Sequence, residues 1–197
     1  MANTKKFKRE EVVKVASDLF WKKGFHATST RDLQENVNLR PGSIYAAFGS
    51  KEGLYCEALK VYVTNLQGQF ESHLAQHSTV LSALEAFVLD VVITQRHTNP
   101  SAICMLVKSA SEFDEGFDTL RSQTQGLANQ FEAFLVTLFE QAIANGEVEE
   151  QDPLHLAQWF QIQFTGLRAY SRRSDDETLK GLIATMMNGF RRELHPH

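Results

Sequence analysis

The sequence predicts an all-α fold, a three-helix head followed by a larger helical body. Three observations carry this. Only 4 prolines and 11 glycines punctuate 197 residues, and most are far apart. Apolar residues recur at i, i+3 and i+4 along most of the chain, the period of an amphipathic helix. No stretch alternates apolar and polar residues between hairpin turns, as a strand would. At 43% hydrophobic, the chain can bury a substantial core.

The first predicted helix runs from about Lys8 to Gly24, where Val12, Val13, Ala16, Leu19 and Phe20 form one apolar stripe. Gly24 suits its C-terminal cap, because glycine takes positive φ without strain. Ser29 or Thr30 caps the second helix, and the helix dipole favours Asp32 in its first turn. That helix ends near Val37, and Asn38 stands where a left-handed turn residue is wanted. Pro41 opens the third helix at the position where its missing N–H costs nothing. Gly49-Ser50 breaks the chain again, and Ser50 caps a long helix with Glu52 and Glu57 near its positive end. Helices are then predicted over 51–75, 79–98, 101–113, 115–145, 153–173 and 176–194, about nine in all. Pro100, Asn145-Gly146 and Pro153 mark the breaks between them. On this reading residues 1–50 form one domain and 51–197 the other.

Composition narrows the class. No segment approaches the roughly 18 apolar residues of a membrane-spanning helix. The opening MANTKKFKREE is basic and polar, without the apolar run of a secretory leader. Cys56 and Cys104 lie far apart in helical patterns, which argues against a disulfide framework and for the reducing cytoplasm. The net charge of −4 conceals an asymmetry: residues 1–60 hold 11 basic and 7 acidic side chains, and the acidic excess lies beyond them. A basic head on an acidic body is the footprint of a protein that touches phosphates at one end.

The head has the physical logic of a helix-turn-helix. Leu33, Val37, Leu39, Ile44 and Phe48 are the apolar set expected to lock its two short helices against the first. The polar residues face outward. The second short helix is then placed to enter a DNA major groove, where a helix fits and base edges differ. Arg31 suits a guanine edge or a phosphate, and Ser29 and Thr30 suit phosphate at a helix start. Arg40, Pro41, Ser43 and Tyr45 flank the groove. Lys51 adds an ammonium beside helix N-terminal amides, an anion site.

Residues 8–59 resemble the DNA-binding domain of the TetR family of one-component bacterial repressors. The carrying motifs are Ala16-Ser17-Asp18-Leu19-Phe20 with Gly24, the cap Ala27-Thr28-Ser29-Thr30, the helix Gly42-Ser43-Ile44-Tyr45-Ala46-Ala47-Phe48, and Ser50-Lys51-Glu52-Gly53-Leu54. They occur in order and with the family's gaps. Leu33-Gln34-Glu35-Asn36-Val37-Asn38-Leu39 departs from the usual Ile-Ala-x-x-Ala-Gly-Val, with Asn38 replacing the turn glycine. Ala47 stands where a polar or His residue is common, so Ala46 and Ala47 offer methyls to the groove.

The resemblance implies a body with an effector pocket among its middle helices and a homodimer formed by its last two. By periodicity, those two helices carry wide apolar stripes, including Phe160, Leu167, Leu179, Ile183, Met186, Met187 and Phe190. These read either as core or as a four-helix interface with a second subunit, and the resemblance favours the dimer. The middle helices are rich in phenylalanine. Phe70, Phe87, Phe131, Phe134 and Phe164 read as core or as the lining of an apolar small-molecule pocket. His97, Lys108, Gln163 and Tyr170 are the candidate polar groups. The segment Ile103-Cys104-Met105-Leu106-Val107 resembles a Gly-Cys-Leu-hydrophobic segment of one TetR subgroup, in some members of which a cysteine here responds to oxidants or electrophiles; Ile103 replaces the usual glycine. Lys108, one turn on, would favour a thiolate; the alternative is an inert, buried Cys104.

The expected protein is thus a cytoplasmic regulator, most simply a repressor. It binds double-stranded operator DNA as a homodimer, answers to a small molecule, and needs no cofactor, metal or membrane. A redox-sensing repressor acting through Cys104 and a protein-binding helical adaptor are the alternatives. No enzyme motif is present in the sequence, and His73 and His77, four residues apart, lack a third ligand.

Overall fold

The computed structural model describes residues 2–37, 46–113 and 116–191. Every regular element among them is helical: α1 (Ala2–Lys23), α2 (Thr30–Val37), α3 (Lys51–Leu74), α4 (Val80–Leu89), a π-helical stretch (Asp90–Thr94), α5 (Met105–Glu112), α6 (Asp118–Ala144), α7 (Pro153–Ser171) and α8 (Asp176–Arg191). Residues 46–48 form a further helical turn. The chain divides into two compact units, residues 1–65 with 104–128, and residues 66–103 with 129–197. α3 and α6 each contribute to both.

In the first unit α1 buries the expected stripe of Val12, Val13, Ala16, Leu19 and Phe20. It packs on α2, where Leu33 is buried, and on α3, where the Phe20 ring meets that of Tyr55 and Ser17 donates to the Ala58 carbonyl at 3.0 Å. α1 begins nearer the chain start than the sequence suggested, and it ends as expected. Gly24 has a φ of 88° and its amide donates to the Phe20 carbonyl at 2.7 Å. Ser50 caps α3, its hydroxyl accepting from the Gly53 amide at 3.1 Å. On α5, Ser109 donates to the Met105 carbonyl and shares a 2.6 Å hydrogen bond with the Tyr55 hydroxyl of α3.

The second unit is built around aromatic rings. Phe70 stacks on Phe87 at 3.6 Å between ring centres and lies about 6 Å from Phe131, Phe134 and Phe160. Phe164 continues the cluster from Phe87 to Phe160, and Phe139 carries it to Phe190. α4 packs on α8, α7 on α8, and the π stretch touches α4, α7 and α8. Side chains cap the starts of three of these helices. Thr79 accepts from the Ser82 amide at α4, Asp152 accepts from the Leu154 amide ahead of Pro153 at α7, and Asp175 accepts from the Thr178 amide at α8. Glu147 adds a carboxylate at the positive end of α4, accepting from the amides of Val80 and Leu81 at 3.0 and 2.9 Å.

Two sequence expectations need restating. The helix expected over 79–98 continues after Leu89 as a π stretch, with the Gln95 amide reaching back five residues to the Asp90 carbonyl. And the residues expected between subunits are covered within a single chain: Phe160, Leu167, Leu179, Ile183, Met186, Met187 and Phe190 are all buried. The open apolar positions on α7 and α8 are Leu154, Ile162, Tyr170 and Leu182.

Candidate nucleic-acid interface

The local chemistry of the head explains where its polar groups point. Ser29 and Asp32 form a reciprocal capping box at α2. The Asp32 amide donates to Ser29 Oγ at 3.0 Å, and Asp32 Oδ2 accepts from the Ser29 amide at 2.8 Å and its hydroxyl at 2.7 Å. Lys23 Nζ lies 2.5 Å from Asp32 Oδ1 and ties the end of α1 to the start of α2. Lys23 first, then Ser29, hold the Asp32 carboxyl well below the usual carboxylate range. With the folded value lowered, the stabilising charge is fully present above the ordinary carboxylate range. It is lost only as pH falls through the lowered value.

Arg31 stands on the solvent side of α2 with its side chain 86% exposed, paired with Glu35 one turn on at 2.8 Å. Such an exposed pair is cheap to break. Replacing Glu35 with Gln frees the guanidinium and removes an acidic charge from the face of α2 that the sequence reading turns to DNA. It is expected to tighten DNA binding about threefold and to steepen its salt dependence. Fluorescence anisotropy across a salt series checks this, and an unchanged affinity would remove Arg31 from the phosphate contacts.

Thr30 is half-buried at the first position of α2. Lys51 is half-buried at the start of α3, its ammonium 4.2 Å above the Phe25 ring. Burial lowers its pKa, against the opposing pull of Glu52, Glu112 and Asp32. Ala46 and Ala47 are exposed and Phe48 is buried beneath them. Leu33 and Phe48 of the expected locking set are buried, and Val37 is half-buried. Arg40, Pro41, Ser43 and Tyr45, with Leu39 and Ile44, lie outside the described residues.

α5 holds the end of α1 from the other side. Lys108 donates to the carbonyls of Trp21 and Lys22 at 3.1 and 3.0 Å, and Glu112 Oε2 accepts from the amides of Phe25 and His26 at 2.6 and 3.3 Å. One helix thus satisfies the last carbonyls of α1 and the amides that follow it. Nothing local in the sequence signals this, since the partners lie more than eighty residues apart. The Lys108 ammonium is therefore engaged at α1. The sulfur of half-buried Cys104 accepts from the Tyr62 hydroxyl at 3.3 Å.

The sequence-predicted effector residues fall into two sets. Cys104 and Lys108 belong to the first compact unit. Phe70, Phe87, Phe131, Phe134, Phe164 and Tyr170 belong to the second, where the phenylalanines pack ring on ring. Tyr170 is exposed beneath the Arg173 guanidinium. Of the other polar candidates, exposed His97 accepts from Arg96 and Gln163 is half-buried. His73 lies 3.6 Å from Asp90, and the described residues contain no cluster of three or more metal-ligating side chains.

Comparison with known proteins fits this head and body. The family described as bacterial regulatory proteins, tetR family, matches residues 12–58, and the tetracyclin repressor-like C-terminal domain matches residues 80–187. The chain belongs to the TetR family. The HTH-type transcriptional repressor ComR of Escherichia coli K12 is 28% identical over 174 residues, spanning 85% of this chain and 81% of ComR. A TetR transcriptional regulator from Chloroflexus aurantiacus J-10-FL is 26% identical with a TM-score of 0.78, covering 95% of this chain and 96% of that one. A cysteine-substituted TetR-family regulator, CifR, solved with a 26-base-pair operator duplex, shares the fold. Its TM-score is 0.80 at 22% identity, over 92% of this chain and 95% of that one. TetR-family membership makes the chain a transcriptional regulator and not an enzyme.

Proposed function

We propose that this chain is a repressor that binds an approximately palindromic operator as a homodimer and is released when a small molecule enters its regulatory part. The carrying observation is the sorting of the head. Leu33 and Phe48 are buried with the α1 stripe while Arg31, Ala46 and Ala47 stand on the surface. Residues 1–50 read DNA in this proposal, through Ser29, Thr30, Arg31, Arg40, Pro41, Ser43, Tyr45 and Lys51. Residues 51–197 regulate and dimerise. No described helix is long and apolar enough to cross a membrane, and the cytoplasm, where the DNA is, is the proposed location.

The dimer is proposed to form through the outer faces of α7 and α8. Ile162 is 69% and Leu182 41% exposed, flanked by exposed Gly166, Ala169, Gly181 and Ala184 that let helices approach closely. Two heads related by a twofold axis then meet successive major grooves. An effector acts only through its differential affinity for the DNA-binding and released states. Its proposed site lies among Phe70, Phe87, Phe131, Phe134 and Phe164, whose packed rings must part to admit it.

Binding to DNA from immediately upstream of the chain's own gene tests the reading. Sequence-selective binding by two subunits per site, weakening steeply with salt, is expected. Equal affinity for upstream, genome-selected and random duplexes would overturn it.

A further inference from the structure

In the segment 42–48 read as entering the groove, here called the recognition segment, residues 46–48 form a helical turn, and one side chain outside the segment grips that turn. Arg9, on α1, donates to the Ala47 carbonyl at 2.6 Å, pairs with Glu57 of α3, and lies with its guanidinium 4.4 Å from the centre of the Phe48 ring. The carbonyls of a helix's last turn have no intrahelical donor and carry partial negative charge, so a cation there is held by both terms. The planar fork of arginine can hold a carbonyl and a carboxylate with two nitrogens while its face rests on a ring, and a lysine ammonium cannot. The same end is packed from a second direction. A Cβ added to Gly53 would lie 2.1 Å from the Phe48 carbonyl oxygen, so that oxygen sits against the bare face of α3.

We propose that Arg9 is a positioning residue for operator reading: it fixes the C-terminal end of the recognition segment to α1 and α3 and so sets the segment's angle in the groove. The proposal rests on the reading of residues 1–50 as the DNA reader. Arg9 does this through the protein. Its charge is engaged by Glu57 and the Ala47 carbonyl, not reserved for a phosphate. An exposed ion pair alone adds little stability. The three contacts together restrict a segment whose exposed methyls, Ala46 and Ala47, immediately precede Phe48.

The test compares the unaltered chain with Arg9→Gln and Arg9→Lys. It uses an operator duplex from upstream of the gene or selected from the genome, a random duplex, a salt series, thermal unfolding, and amide hydrogen exchange over residues 46–48. Arg9→Gln is expected to lose about tenfold in affinity for the operator. Its affinity for the random duplex and its salt slope should stay unchanged, and exchange at 46–48 should quicken. Arg9→Lys should show the same loss. Equal loss on both duplexes with the slope falling by about one would make Arg9 a phosphate contact and overturn the proposal. So would full recovery by Arg9→Lys, or unchanged operator affinity in Arg9→Gln. Should Arg9→Gln unfold at the assay temperature, Glu57→Gln releases only the ion pair. A smaller loss confined to the operator supports the proposal, and none overturns it. If the unaltered chain itself prefers no duplex, the DNA reading falls first, which is a different failure from an Arg9 variant that behaves like the parent.

Discussion

Replacing Gly53 with alanine is expected to impair both folding and operator binding, although alanine is the best helix former and the site lies in the first turn of α3. The reason is local. The new methyl would stand 2.1 Å from the Phe48 carbonyl oxygen and 3.3 Å from its carbon, and both are backbone atoms that no rotamer change can move aside. The chain must then shift the turn at 46–48 or the start of α3, where Ser50 holds the Gly53 amide. Overpacking of this kind costs about 1–3 kcal/mol. On the proposed DNA reading, displacing residues 46–48 costs base contacts, so operator affinity should fall about tenfold or more. Thermal unfolding and operator titration read the two effects separately. An alanine variant with parental melting and parental affinity would show that the Phe48 carbonyl is not seated on α3.

Phe70→Ala is expected to be the most destabilising single truncation in the second unit. Phe70 is 1% exposed, stacks on Phe87, and stands within ring contact of Phe131, Phe134 and Phe160. Removing it leaves a cavity among rings that also support one another, at a cost of about 3–5 kcal/mol. That is a large part of the roughly 5–15 kcal/mol that holds a domain folded. Denaturant unfolding should show a lowered midpoint with the slope preserved. A dry apolar cavity of this kind admits small aromatic molecules, so added benzene should restore part of the loss. A midpoint within experimental error of the parent would mean the rings close over the gap and the cluster is loosely packed.

Most of the fold was legible because its signals are local. The stripe from Val12 to Phe20, the glycine at 24, the serine caps at 29 and 50, and the break at Asn145-Gly146 act within a few residues, and each stands where expected. The π stretch was not legible, since one extra residue per turn over Asp90–Thr94 barely changes an apolar pattern read at 3.6 residues. Which face of α7 and α8 turns inward was also hidden. Periodicity finds the richer stripe, and Phe160, Leu167 and Phe190 on it are buried in their own chain, while Ile162 and Leu182 stand on the sparser outer face. At the site, the caps and exposed Arg31 were visible in the sequence. The engagements of Arg9, Lys108 and Glu112 were not, because a charge's partner across 38 or 87 positions leaves no trace in spacing.

The closed core of the second unit bears on gene dosage. Leu179, Ile183, Met187 and Phe190 are covered inside their own chain, so in the proposed dimer the second copy is not what keeps these side chains from water. Where subunits also fold alone, unlike those of an obligate dimer, assembly is a separate step governed by concentration. For a dimer assembled from ready-folded subunits, operator occupancy at low copy number rises with the square of the subunit concentration. Repression then sets in over a narrow range of expression, and old and new subunits can exchange without unfolding.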